Sequence, residues 1–175
     1  MRPFLTGVVC TLAVLLLGAY LFIANGMMPA NADGKPPALE KWMARTSLHA
    51  TLRREAPPGS GPVSMTDAAL TTGVKLYAQN CAACHGASDG KASHIAVGLY
   101  QHAPQLAKHG VEDDPEGVIY WKVKHGIRLT GMPAFSGTLS EDQIWKVVLF
   151  LKHMDNLPAG AQKAWKSVPS AATLD

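Results

Sequence analysis

Two thiols and an imidazole fall within five residues of this chain, Cys81-Ala82-Ala83-Cys84-His85, and that cluster carries its most specific chemistry. A Cys-x-x-Cys pair serves dithiol redox chemistry, half of a zinc site, or the covalent attachment of haem. A redox pair belongs at a strand end within a βαβ unit, but the residues before Cys81 read as a helix. A zinc site needs two further ligands at paired spacing, and no second Cys pair or paired histidines follow. His85, placed directly after Cys84, is what haem attachment requires. Two thiols on one helical turn can form thioethers to the porphyrin vinyl groups, and the adjacent imidazole then lies under the iron. The third cysteine, Cys10, sits in an apolar stretch, where a free thiol behaves as a small hydrophobe.

The sixth iron ligand decides between a closed electron carrier and a reactive haem. The candidates after His85 are Met132, Met154 and the histidines at 94, 102, 109, 125 and 153. Met154 completes a helical apolar stripe and reads as core, and the histidines fall in polar loops or at helix ends. Met132 lies in Thr130-Gly131-Met132-Pro133-Ala134-Phe135, which has no helical periodicity. Gly131 permits close approach of the backbone and Pro133 restricts Met132 to extended conformations, so this methionine suits a ligand better than generic packing.

The elements that must position these groups are helical. A helix is expected from Thr66 or Asp67 through Tyr77 towards Cys81, with Leu70, Val74 and Tyr77 on one face. A second should start at Asp114, with Pro115 at its first position and Glu116 favourable to the dipole, and end near Gly126. A third begins with the capping box Ser140-Glu141-Asp142-Gln143 and carries the stripe Ile144, Val147, Val148, Leu151, Met154 before Pro158. Residues 86–113 are rich in glycine and weakly periodic. So long a loop is uncommon in a compact domain, and a haem explains it by supplying a rigid apolar core.

The order CAACHG, a Pro-x-Leu segment, GMPAF and a final apolar helix resembles the class I (mono-haem) cytochromes c over about residues 66–155. The resemblance implies an all-α cytochrome c fold around one covalent haem c, with first and last helices crossing at Gly73 and Tyr77 against Trp145, Leu149 or Phe150. It implies Cys81 and Cys84 as the haem attachment points and His85 and Met132 as axial ligands. Pro104 would accept a hydrogen bond from His85 Nδ1, a contact that orients the ring and sets its basicity, and Leu106 would pack on the haem face. With both axial positions filled there is no open site for a small-molecule substrate, so the expectation is an electron carrier, not an enzyme. A peroxidase or ligand-binding haem protein with a labile Met132 is the enzymatic rival.

Outside that region, Phe4 to Ala24 is uncharged and almost wholly apolar. As a helix it would run about 31 Å, the thickness of a bilayer core. This favours one uncleaved N-terminal transmembrane helix over a cleaved signal, whose only good cleavage pattern, Ala30-Asn31-Ala32, lies far downstream. Because c-type haem is attached on the outer face of the bacterial cytoplasmic membrane, the resemblance implies a single-pass inner-membrane protein with its haem domain in the periplasm. The divisions expected are an anchor at 1–32, a linker with a short helix at 33–65, the cytochrome domain at 66–157 and a tail at 158–175. Within the linker, Leu39, Trp42, Met43, Thr46 and Ala50 recur at helical spacing over residues 38–54, either packing on the domain or docking to a partner or membrane surface. A net charge of +3 is too small to suggest nucleic acid. The expected partners are periplasmic or membrane redox proteins acting as donor and acceptor. The rival from the interaction class is a haem subunit of a dehydrogenase or oxidase complex, with 38–54 and the Trp165-bearing tail as interface elements.

Overall fold

The computed structural model describes residues 1–173, and among these all regular secondary structure is helical. Two compact units divide at residue 32. The first is α1 (Arg2–Ala24), with a proline in its first turn and no charge beyond Arg2. The hydroxyls of Thr6 and Thr11 turn back on the helix's own carbonyls, Thr6 to Arg2 at 3.0 Å and Thr11 to Gly7 at 2.9 Å, so these two groups are satisfied internally, as a hydrocarbon environment demands. By length and hydropathy α1 is a candidate membrane span, and a signal sequence would pass the same test.

The second unit is built on α3 (Asp67–Asn80), which is capped by Thr66, whose hydroxyl accepts from Ala69 N at 3.1 Å. α3 crosses α7 (Glu141–Lys152), which opens on the expected capping box: Ser140 accepts from Gln143 N and Gln143 from Ser140 N. Gly73 marks the crossing, since a Cβ there would lie 2.2 Å from Lys146 O and 2.8 Å from the Phe150 side chain. Of the three candidate partners, Phe150 is the one Tyr77 meets, edge to face at 5.3 Å. Trp145 instead stacks on Tyr120 at 4.2 Å, and Leu149 packs with Ala69, Leu70 and Ala161. Ile144, Val147, Val148, Leu151 and Met154 are all buried, so the stripe of α7 and the residue just beyond it form the core.

Four features differ from the expectations. α6 (Glu116–His125) starts after Pro115, not at Asp114, because Pro115 is extended, with ψ 138°, and the Asp114 carboxylate accepts from Lys122 Nζ at 2.8 Å without capping the helix. The loop 86–113 contains a short helix, α5 (His94–Gly98), capped by Ser93. The segment after 157 is not a detached tail: α8 (Ala159–Lys166) packs on α3, and Trp165 closes a three-ring cluster with Tyr77 and Phe150 at 5.4 and 5.1 Å. Trp165 is therefore core and not an interface residue. Residues Leu174 and Asp175 lie outside those described.

The fourth difference concerns α2 (Ala38–Glu55), which packs within this unit through a face other than its Leu39/Trp42/Met43 stripe. Leu52 is buried and Leu48 half-buried, whereas Leu39, Trp42 and Met43 are 64%, 63% and 51% exposed. Glu40 anchors the helix from its first turn, accepting from Tyr100 Oη at 2.9 Å and Gln101 Nε2 at 3.5 Å.

Candidate haem site

α3 leads directly into the single turn α4 (Ala82–His85). Cys81 N donates to Tyr77 O at 2.8 Å, Cys84 N and His85 N to Cys81 O at 3.0 and 2.9 Å, and Gly86 N to Ala82 O at 2.9 Å. One continuous set of backbone bonds thus presents both thiols and the imidazole. Tyr77, buried in the aromatic cluster, donates its hydroxyl to Gly86 O at 2.8 Å and so ties this turn to the core. Cys81 and Cys84 are free thiols. Burial, with the Cys84 thiol adding a smaller push, raises Cys81 to about 12, which keeps it protonated at neutral pH.

His85 points its Nδ1 at Pro104 O, 2.9 Å away. A carbonyl can only accept, so Nδ1 carries the hydrogen and Nε2 is left with a lone pair. Burial lowers the pKa of His85, opposed by that bond to Pro104, and the neutral imidazole is the form that ligates metal. The segment behind it is pinned twice more. Leu106 N donates to His85 O at 3.0 Å, and Gln105 Nε2 donates to Cys84 O at 3.0 Å. Ser93 contributes a further hydroxyl bond to Ala83 O.

Met132 comes from the loop that follows α6. Ile127 N donates to Met132 O at 3.1 Å, and Met132 N donates to Thr130 Oγ1 at 3.1 Å. Phe135 N and Ser136 N return to the last carbonyls of α6, those of Val123 and Lys124, at 3.2 and 3.1 Å. Gly131 lies against Leu99, close enough that a Cβ would sit 2.5 Å from Leu99 Cδ2.

These segments enclose a mainly apolar cavity of about 290 Å³. Its lining includes all six residues singled out from the sequence: Cys81, Cys84, His85, Pro104, Leu106 and Met132. His102 also lines it, whereas His94, His109, His125, His153 and Met154 do not. Sequence reasoning missed Leu48 and Leu99 in the wall, and the supporting roles of Gln105 and Ser93. Gln105 could have been found from its place between Pro104 and Leu106. Leu48 had no signal, because nothing local tells which face of α2 turns inward.

The donor set fits a covalent haem. Two unpaired thiols share one turn, a neutral imidazole with a fixed tautomer adjoins them, and a soft thioether reaches the same apolar cavity. No group of three or more His, Cys, Asp or Glu capable of holding a bare metal ion occurs among the described residues.

Comparison with known proteins agrees with this geometry. Residues 68–151 match the family described as cytochrome C oxidase, cbb3-type, subunit III. Cytochrome c6 of Thermosynechococcus vestitus is 33% identical over 93 residues, covering 51% of this chain and 77% of its own. Cytochrome c550 of Pseudomonas aeruginosa is 32% identical over 107 residues, covering 58% and 68%. Cytochrome c6 of Leptolyngbya boryana is 39% identical over 93 residues, covering 53% and 94%. No solved structure matches the chain significantly.

Proposed function

The chain belongs to the mono-haem class I cytochromes c, and from that premise we propose that it is a membrane-tethered, periplasm-facing electron carrier whose haem iron is held by His85 and Met132. As a c-type cytochrome it transfers electrons through one covalently bound haem c, with redox proteins as its partners. Bound iron supplies the redox couple, and His/Met ligation raises its potential. The protein's own part is to hold the ligands still. Pro104 O keeps His85 in one tautomer, the backbone bonds of 127–136 hold Met132, and apolar side chains keep water from the cavity.

The observation that supports this reading is the convergence of Cys81, Cys84, His85 and Met132 on one apolar cavity. It is tested by the ferric spectrum of the holoprotein. A six-coordinate low-spin form with the weak red Met–iron charge-transfer band is expected, and Met132→Ala should abolish that band and lower the potential while haem stays covalently attached. A high-spin wild-type spectrum that responds to peroxide would favour the peroxidase reading. Retention of the band in Met132→Ala would move the ligand elsewhere.

The tether rests on α1 and its membrane-compatible length. A second reading, as a haem subunit of an oxidase complex, is favoured by the description of the family that residues 68–151 match. Gentle detergent extraction separates the two: a particle of monomer size supports the tethered carrier, and stable co-migration with an oxidase supports the subunit.

A further inference from the structure

α2 has two apolar faces that point in opposite directions. The inner one carries Leu48, in the wall of the haem cavity, and the buried Leu52. Leu39, Trp42, Met43, Thr46 and Ala50 recur at three- and four-residue steps and are all exposed. At 100° per residue they form a stripe roughly opposite Leu48 and Leu52.

We propose that the outer stripe of α2 docks on the anionic surface of a phospholipid bilayer, with the helix lying in the interfacial plane. Three observations favour lipid as the occupant. The stripe combines Trp with unbranched or γ-branched apolar residues, a composition suited to the headgroup–acyl boundary. At the same 100° step, exposed Arg53 falls within the span of the stripe and exposed Arg45 about 60° beyond its Trp42 edge. The carboxylates of α2 are engaged elsewhere, Glu40 by Tyr100 and Gln101 and Glu55 by Arg54 at 2.7 Å, so the charge offered outward is cationic, as anionic lipid requires. The third is covalent. α2 begins at Ala38 and α1 ends at Ala24, a connection that can extend about 45 Å at most, so a spanning α1 delivers α2 to the membrane surface at high effective concentration. In this last respect the proposal rests on the tethered reading.

Docking would do more than add affinity. Leu48 lines the haem cavity and Glu40 holds the Tyr100–Gln101 segment beside it, so fixing α2 on the bilayer fixes the orientation of the haem domain. A domain free to tumble on its linker would present its haem edge in all directions. A domain lying on α2 presents it in one, which suits exchange with redox partners embedded in the same membrane.

The test uses the full holoprotein with Cys10→Ala, reconstituted in vesicles of phosphatidylethanolamine and phosphatidylglycerol, and carrying one spin label at a time. Thr46→Cys reports the stripe without removing an apolar residue, Lys163→Cys on the exposed side of α8 reports solvent, and Leu15→Cys reports α1. Collision with oxygen relative to a water-soluble nickel chelate reads depth. The label at 46 is expected to favour oxygen several-fold more than the label at 163. In Trp42→Glu/Met43→Glu it should return to the value at 163, with an unchanged haem spectrum showing an intact fold. A label at 46 that reads as solvent in the wild-type stripe overturns the proposal, as does one that stays deep in the double variant. Spin–spin broadening between labels at 46 would assign the stripe to a second copy, and would also overturn it. The label at 15 separates the two readings. If it is deep while 46 is in water, the tether stands and the docking falls. If processing has removed residue 15 while 46 remains in lipid, the tether falls and the docking stands.

Discussion

The two candidate ligand-bearing segments of the haem cavity are held in different ways. On the side of His85, the turn is continuous with α3, the ring is fixed through Nδ1 to Pro104 O, and the hydroxyl of Tyr77 ties Gly86 to the Tyr77–Phe150–Trp165 cluster. On the side of Met132, the support is a loop hung from the end of α6 by backbone bonds at Ile127, Phe135 and Ser136. Leu129 in that loop has a positive φ of 63° and is 87% exposed. One segment is therefore continuous with the global core, and the other joins it through loop backbone bonds and the partly buried Met132 and Phe135. With the proposed ligation by His85 and Met132, this asymmetry would make the imidazole the permanent ligand and the thioether the exchangeable one. Disturbing the first should be felt by the whole protein, and disturbing the second by the iron alone.

The largest effect should follow from His85→Ala. It removes the imidazole beside the attachment thiols and with it the core that the irregular 86–113 segment surrounds, so covalent holoprotein should fall to a small fraction of wild type, measured by haem-stained yield. Trp165→Ala comes next. Trp165 is 6% exposed and packs on both Tyr77 and Phe150, so truncation should cost about 3–5 kcal/mol. Because Tyr77 holds the turn of His85, thermal unfolding should shift as one cooperative transition. Loss of the Met–iron band ahead of global melting in Trp165→Ala would break the proposed division.

Much of this arrangement was legible in the residues themselves. The capping box at Ser140 and Gln143 and the cap at Thr66 are local signals, and each is satisfied by its own helix. The cavity residues stood out because CAACH is contiguous and Met132 is flanked by Gly131 and Pro133. What escaped depends on partners distant in sequence. α8 opens at Pro158 with no side-chain cap of its own, and Ala161 N donates to Asp67 across the core at 2.8 Å, a bond no local pattern announces. α5 has only five residues and its signal is the single cap Ser93. The stripe of α2 was visible, but periodicity reports that a face is apolar and not which of two apolar faces meets the core. Leu48 and Leu52 take the inner position, one in the cavity wall and one buried.

Gly126→Ala should produce the next smaller effect, and on the other side of the comparison. Gly126 closes α6 at φ 65°, ψ −172°, a region essentially restricted to glycine that costs another residue about 1–3 kcal/mol. A Cβ there would also come within 2.7 Å of Met132 O and Ala134 N. The strain falls on the Met132 loop, so this variant should lose the Met–iron band at a lower temperature than it loses helical structure. Matched losses of the two signals would show that the loop is as integral to the core as the turn of His85.

The smallest and most discriminating change is Thr130→Val, which keeps the shape of the side chain and removes its hydroxyl. That hydroxyl donates to Ile127 O at 2.6 Å and accepts from Met132 N at 3.1 Å, so it braces the loop on both sides of Leu129. Thr130 is exposed, so water replaces part of what is lost and the cost should be near the low end for a hydrogen bond, about 0.5–1 kcal/mol. Global stability should scarcely move. If Met132 detaches by local opening of 127–132, the same free energy should raise the open population about two- to fivefold, since 1.4 kcal/mol is tenfold. An added imidazole should then displace Met132 correspondingly faster, followed as decay of the Met–iron band. The matched change at the other segment, Ser93→Ala, deletes a buried hydroxyl that bonds Ala83 O and Ala96 N and should lower the melting temperature while leaving the imidazole on-rate unchanged. The two variants thus separate the segments by readout as well as by size. Equal effects of both on the imidazole rate would mean that the loop and the turn open together.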